Sequence, residues 1–414
     1  MTTLEQLLEE YQEKYNLFTY AHYFDPDNYN VLQTGLVACF YIDQGYLPQK
    51  RQAMGEVLAL YHQYWGDKLL SGYKDDNPNN LEQYHASTLE EKINNIYSIG
   101  TDDLSIYWSS SPNLDYVADY LINIFSSAGW YEQVHKEVSF LKLYWPLSEL
   151  KTSGVQQFIK FIQVISGKLQ PMHGYAGLGV QHGHEYYDYQ YLEYEIAHRF
   201  LGLDISNYDG DLRFRNGFKC INWLTILSDD LIKQKLGSVA QLQANNEDPA
   251  IKFYPYQRGI IVQAGEVPAL GYIQENPYPK HYIFVNALLK AARAPEIGSL
   301  GFGSVNGEIR FNSRTTTEWQ ARFDNVALPE ENTLPISDSG ENALEPQQKR
   351  ITVKTGELCR FSGFYSANIN GKLYYQELTE GYKVIPFSDE QDNLWNDITW
   401  ILLRRDDGGN VYEQ

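Results

Sequence analysis

At 414 residues, the chain has room for two to three domains at roughly 150 residues each and for a sizeable core. Its 53 acidic residues against 33 basic ones leave a formal charge of −20. That balance speaks against direct binding to nucleic acid or anionic membrane, which need a basic footprint, and favours a basic protein partner or plain solubility.

The opening M-T-T-L-E-Q-L-L-E-E carries acids where a secretory signal would carry Lys or Arg, and no apolar run approaches the length of a membrane span. A cytoplasmic protein is therefore expected. Cys39, Cys220 and Cys359 stand far apart in apolar company with no C-x-x-C pair, which fits reduced, buried thiols better than a disulfide framework. Leu4, Leu7, Leu8 and Tyr11 alternate with Glu5, Glu9, Glu10 and Glu13, an amphipathic pattern that predicts a helical extension over 1–28. Val31–Ile42 reads as a buried strand, and Gln49–Leu70 as a helix with Met54, Val57, Leu58 and Tyr61 on one face. Ser87–Glu90 has the form of a capping box. Leu104–Trp108 reads as a strand. Ser110-Ser111-Pro112 reads as a helix start leading into Leu114–Ser127. Val138–Trp145 is a further strand and Gly154–Leu169 a helix.

From Pro171 to Asp229 the chain is densest in unusual residues. Gly174, Gly177 and Gly179 follow His173 in an apolar run, which suits a strand where a backbone or bulky side chain comes close. A His-Gly-His turn should follow, then a helix from Glu185 to Phe200 with Gly202 as its stop. Asn222–Leu236 reads as a helix ended by Gly237, Ile260–Ala264 as a strand, and Tyr282–Ala292 as an apolar helix. Strands and helices alternate only imperfectly, so the fold class expected over 1–326 is α+β, a mixed sheet with packed helices. Residues 327–350 hold several prolines and acids and no aromatic residue, the composition of a linker. Residues 351–414 read as a small all-β module with Asn370-Gly371 as a hairpin turn.

Six strings carry a resemblance. They are L-V-A-C-F-Y-I-D at 36–43, L-Y-W-P-L at 143–147, H-G-Y-A-G-L-G at 173–179, R-F-L-G-L-D-I at 199–205, N-W-L-T-I-L at 222–227 and I-I-V-Q-A-G-E-V-P-A-L-G at 260–271. In this order the chain resembles a bacterial type VI secretion immunity family, TsiV-like, across roughly residues 30 to 325. The resemblance makes His173, Gly174, Gly177, Gly179 and Trp223 structural landmarks and brings no catalytic motif. It implies a protein that binds an antibacterial effector. The terminal module is similar to one appended to some toxin-immunity proteins and opened by G-E-x-C-P. Here Gly356-Glu357-Leu358-Cys359 is followed by Arg360 in place of Pro.

Chemistry-bearing patterns are few. His182 and His184 flank a glycine beside Glu185, with His173 and His198 nearby in sequence. Two such histidines can chelate Zn²⁺, but a hydrolytic site needs a third ligand and a placed base, and no H-E-x-x-H spacing exists. No metal, cofactor or catalytic residue is therefore expected. G-S-L-G-F-G at 298–303 has the wrong glycine order for a dinucleotide loop, no G-x-S-x-G occurs, and Asp209-Gly210-Asp211 reads as a turn. The 34 tyrosines stand out. In the stretch from Glu185 they interleave with acids, and Tyr beside carboxylates suits recognition of a basic protein surface. Glu185, Tyr186, Asp188, Tyr189, Glu193 and Glu195 are the partner-binding candidates. Tyr187, Tyr191 and Tyr194 have the spacing of a core-facing stripe instead. The expected function is a stoichiometric, non-enzymatic effector blocker. The alternative is a metal-assisted hydrolase that reverses toxin damage through His182, His184 and Glu185.

Overall fold

β1 (Tyr20–Ala21) pairs with β2 (Asn30–Ile42), and β2 is the central strand of the larger of two compact units, Met1–Glu330 and Glu331–Gln414. The computed structural model describes residues 11, 20–21, 30–74, 81–184, 190–205, 209–246, 248–273, 278–301, 310–324, 326, 351–369, 372–388 and 394–405. Of the helix expected over 1–28, Tyr11 is helical, but Tyr20–Ala21 is a short strand held by the edge of β2, and the remainder lies outside the described residues, as do the linker and the Asn370-Gly371 turn.

After β2 the chain forms α1 (Pro48–Trp65), with Pro at the first helical position where its missing N–H costs nothing. β3 (Ser71–Lys74), β4 (Glu82–Gln83), α2 (Leu89–Ser98) and β5 (Leu104–Ser109) follow, then β6 (Leu121–Ser126), α3 (Gly129–His135), β7 (Ser139–Trp145), α4 (Glu149–Thr152) and α5 (Val155–Leu169). β8 (His173–His182) leads to α6 (Gln190–Arg199). β9 (Leu224–Ser228), α7 (Asp229–Lys235), α8 (Val239–Ala244), β10 (Ile251–Tyr256), β11 (Gly259–Ala264), α9 (Lys280–Leu289) and α10 (Ser313–Gln320) complete the unit.

Among the described residues eleven strands make one sheet, in the order β10-β11-β9-β8-β2-β7-β6-β5-β3-β4 with β1 on β2. The named strands pair antiparallel. Parallel pairing enters through the isolated bridges Gly179↔Asp204 and Phe218↔Arg293. The α+β class stands as expected.

Two expected helices are corrected. Leu114–Ser127 is a turn-rich loop followed by β6, because Ser111 and Asn113 side chains accept from nearby N–H groups and stop a helix before it starts. Leu121–Ser126 instead completes a ladder between β5 and β7. Asn222–Leu236 divides in two: Leu224–Ser228 is a strand between β8 and β11, and only from Asp229 does the chain turn helical, with the Ser228 hydroxyl capping the Leu231 N–H. The capping box at Ser87–Glu90 does not form. Ser87 lies in a 3-10 turn, and the Thr88 hydroxyl donates to His85 O at 2.8 Å.

The two faces of the sheet differ. On one, Leu36 of β2 lies opposite Trp145, and Trp145 meets Trp65, Phe158 and Phe161 of α1 and α5 with ring centroids 5.5, 5.2 and 5.9 Å apart. This is an apolar helix-on-sheet layer. The other face presents Cys39 between Lys142 and Tyr175, and Tyr41 between Phe140 and His173.

The second unit holds β12 (Thr352–Lys354), β13 (Gly363–Ile369), β14 (Lys372–Leu378), β15 (Phe387–Ser388), β16 (Leu394–Trp395) and β17 (Thr399–Arg405). Its four-stranded sheet has the order β12-β17-β13-β14, and its small core gathers Ile351, Val353, Tyr365, Trp400 and Leu402.

Candidate functional site

Charges on the polar face of the sheet are neutralised internally. The ammonium of Lys142 pairs with the carboxylate of Asp209, to which Tyr41 donates at 2.8 Å, and all three groups are buried. Lys219 pairs with Asp204 at 3.0 Å and lies 5.2 Å from the centre of the Tyr175 ring. Asp209-Gly210-Asp211 thus does meet a cation, but the cation is the protein's own lysine. Burial would raise the Asp209 carboxyl; Lys142 and Lys219 hold it below its ordinary value. Burial would lower the Lys142 ammonium, and Asp209 holds it well above. Burial drives the Cys39 and Cys220 thiols up, to about 11 for Cys220, so both stay protonated; the three cysteines are free. A pair so enclosed has no route to a substrate and serves the fold.

The landmark residues pack as strand geometry demands. His173 is buried, and its Nε2 donates to Phe214 O at 2.6 Å. Burial holds its pKa down at about 4. An added Cβ at Gly174 would meet the Cys39 carbonyl, at Gly177 the Asn222 side chain, and at Gly179 the Val37 side chain. Trp223 is fully buried and donates to Gly265 O at 3.1 Å.

Glu185, Tyr186, Asp188 and Tyr189 lie outside the described residues. Glu193, expected on an outward acidic face, is buried at 2% exposure because α6 turns that side toward the core. Glu195 is half-buried and bonded to Arg199, one helical turn on. Tyr194 is buried and Tyr191 half-buried against the core. The core-facing stripe is thus what α6 shows at these two residues. His184 Nε2 meets the Tyr73 hydroxyl at 2.7 Å, and His182 Nδ1 meets Gly183 O at 2.6 Å. Burial, with Lys142 second, lowers the His182 pKa to about 3. Among the described residues no group of three or more His, Cys, Asp or Glu side chains is placed to hold a metal, and no helix is long and apolar enough to cross a membrane.

What the surface offers lies elsewhere. A groove of about 150 Å³ runs between α2 and β5, floored by Leu104, Ile106 and Trp108 and rimmed by Glu82 and Glu91. Lys92 stands over the Trp108 ring, 4.4 Å from its centre. Past the groove, the Gly129 N–H at the start of α3 bonds Thr101 O of the 99–103 loop at 2.8 Å. Trp130 and Val134, one turn apart on α3, are 65% and 69% exposed. Nothing in the sequence reading marked this segment. The available signal was G-W-Y-E-Q-V-H, with Trp and Val four apart and polar residues between.

Residues 53–323 match a family model described as TsiV, type VI immunity for VRR-NUC. Among solved structures, the Pseudomonas aeruginosa T6SS protein PA0821 is similar with a TM-score of 0.68 at 22% identity, over 78% of this chain and 91% of that one. At that identity the likeness is one of fold. No curated protein matches the sequence.

Proposed function

The chain belongs to the TsiV family and is a type VI immunity protein, and from that premise we propose that it neutralises a VRR-NUC effector by holding it in a stoichiometric complex that occludes the active site or the nucleic-acid groove. The observation that carries this reading is the family match over residues 53–323, which spans most of the larger unit. Charge supports it. A nuclease needs a basic surface to hold phosphates, and a chain of net charge −20 is complementary to such a surface. Occlusion asks for shape and charge and leaves the immunity protein chemically unchanged. The complex forms in the cytoplasm, where the nuclease would meet its substrate.

Titrating the purified protein against a fixed amount of VRR-NUC nuclease checks this directly. Cleavage should fall linearly and stop near one copy per nuclease, with the same result for immunity protein first stripped by chelator and then assayed with only the metal the nuclease uses. Protection at a small fraction of one copy, lost on replacing His182 or His184, would instead establish the hydrolase reading.

A further inference from the structure

We propose that the face built from the α2–β5 groove, the 99–103 loop and α3 is the docking surface for a lysine- and arginine-rich patch of the effector nuclease, with Trp130 as its apolar anchor; this rests on the immunity reading above.

Three observations converge. The groove is apolar at its floor and acidic at its rim, and its aromatic floor already takes a cation: the ammonium of Lys92 lies over Trp108 and donates to Thr88 Oγ1 at 2.8 Å. A basic side chain entering from a partner meets the chemistry that the protein's own lysine meets. The adjoining loop adds Asp102 and Asp103, both exposed. Glu82, Glu91, Asp102 and Asp103 lie in none of the ion pairs between described residues, unlike Asp204 and Asp209 in the interior.

The second observation is rigidity. The buried Arg51 guanidinium donates to Asp102 O at 2.5 Å and so holds the loop from beneath. Glu132, buried on the inner side of α3, accepts from Arg215 at 2.6 Å and from the Gln44 N–H at 2.7 Å. With Glu132 fixed inward, the helix points Trp130 and Val134 outward. A preformed surface loses little entropy on binding.

The third is composition. Interface energy concentrates in Trp, Tyr and Arg placed amid near-neutral contacts. Trp130, at 65% exposure, stands on the helix whose first N–H bonds the loop. Charge decides the occupant: an acidic face with aromatic anchors fits a basic protein surface and repels nucleic acid and anionic lipid.

Isothermal titration against a catalytically inactive cognate VRR-NUC protein tests the assignment. Trp130→Ala should weaken binding by about tenfold or more. Val134→Lys, which plants a cation at an outward position 69% exposed, should do the same. Combined Glu82→Gln, Glu91→Gln, Asp102→Asn and Asp103→Asn should lower affinity and flatten its dependence on salt. Asp229→Asn with Asp230→Asn, exposed acids on α7, should bind like the parent, and thermal melting should show all variants folded. Variants of this face that bind within about twofold of the parent, while the parent binds tightly, overturn the face and leave the immunity reading intact. Absence of any complex with the parent overturns both.

Discussion

Carboxylates gather in two places in this protein, and the contrast between them is informative. Asp204 and Asp209 lie beneath the sheet, each matched to a lysine, with Tyr41 closing one pair. Glu91, Asp102 and Asp103, exposed, and Glu82, half-buried, lie around the α2–β5 groove and the neighbouring loop in no ion pair between described residues. The nearest cation to Asp102 and Asp103 is the buried Arg51 guanidinium, whose charge they favour through space. The first set is needed for the fold, because a charge taken out of water must find a partner. The second set contributes little to stability, because exposed charges are screened. Residues that the fold does not require are the ones a partner can use.

The sharpest way to break this contrast is to remove one member of an inner pair. Lys142→Met should destabilise the protein by about 3–5 kcal/mol, since it strands the Asp209 carboxylate, whereas Lys142→Met with Asp209→Leu should recover most of that loss. Urea unfolding of both variants measures it, and a single variant costing no more than the double would remove the distinction. Next in size is pH. His173 is neutral in the folded state down to about pH 4, below its unfolded value near 6.5. The unfolded chain therefore binds the extra proton as pH falls. Stability is complete above about 6.5 and falls toward pH 4 by up to about 1.4 kcal/mol per unit for this group alone. His173→Gln should lower stability at pH 7 yet flatten that slope, which denaturant midpoints at several pH values will show. The smallest effect belongs to the surface. Glu91→Gln or Asp103→Asn should shift stability by about 0.5 kcal/mol or less in the same unfolding assay, and a larger loss would mean that the outer acids also hold the fold.

Where a segment's own residues dictate its state, the sequence was readable. Val31–Ile42, Val138–Trp145 and Gly154–Leu169 came out within a residue or so of β2, β7 and α5 because long apolar runs or helical spacing leave little choice. Leu121–Ser126 and Leu224–Ser228 did not, because each becomes a strand through neighbours supplied from elsewhere in the chain. The polar interior left one signal, a lysine at 142 inside an otherwise apolar strand, and its partner Asp209 was legible only as part of a turn. On α6 the acid-and-tyrosine pattern was real, but pattern alone does not say which side faces inward, and Glu193 faces in. The α3 segment escaped notice because seven residues are too few for periodicity to speak.

The placement of β2 at the middle of the sheet has a consequence for biosynthesis. Leu36 finds its ladder partners in Trp145 and Leu178, more than a hundred positions later in the chain. As the polypeptide leaves the ribosome, this apolar strand must wait, its edges bare beyond the short pairing with β1, until its flanking strands are made. Such distant closure makes folding slow. Nascent chains halted before residue 145 should therefore cling to chaperones, and those released after the β8 segment has cleared the exit tunnel should let go.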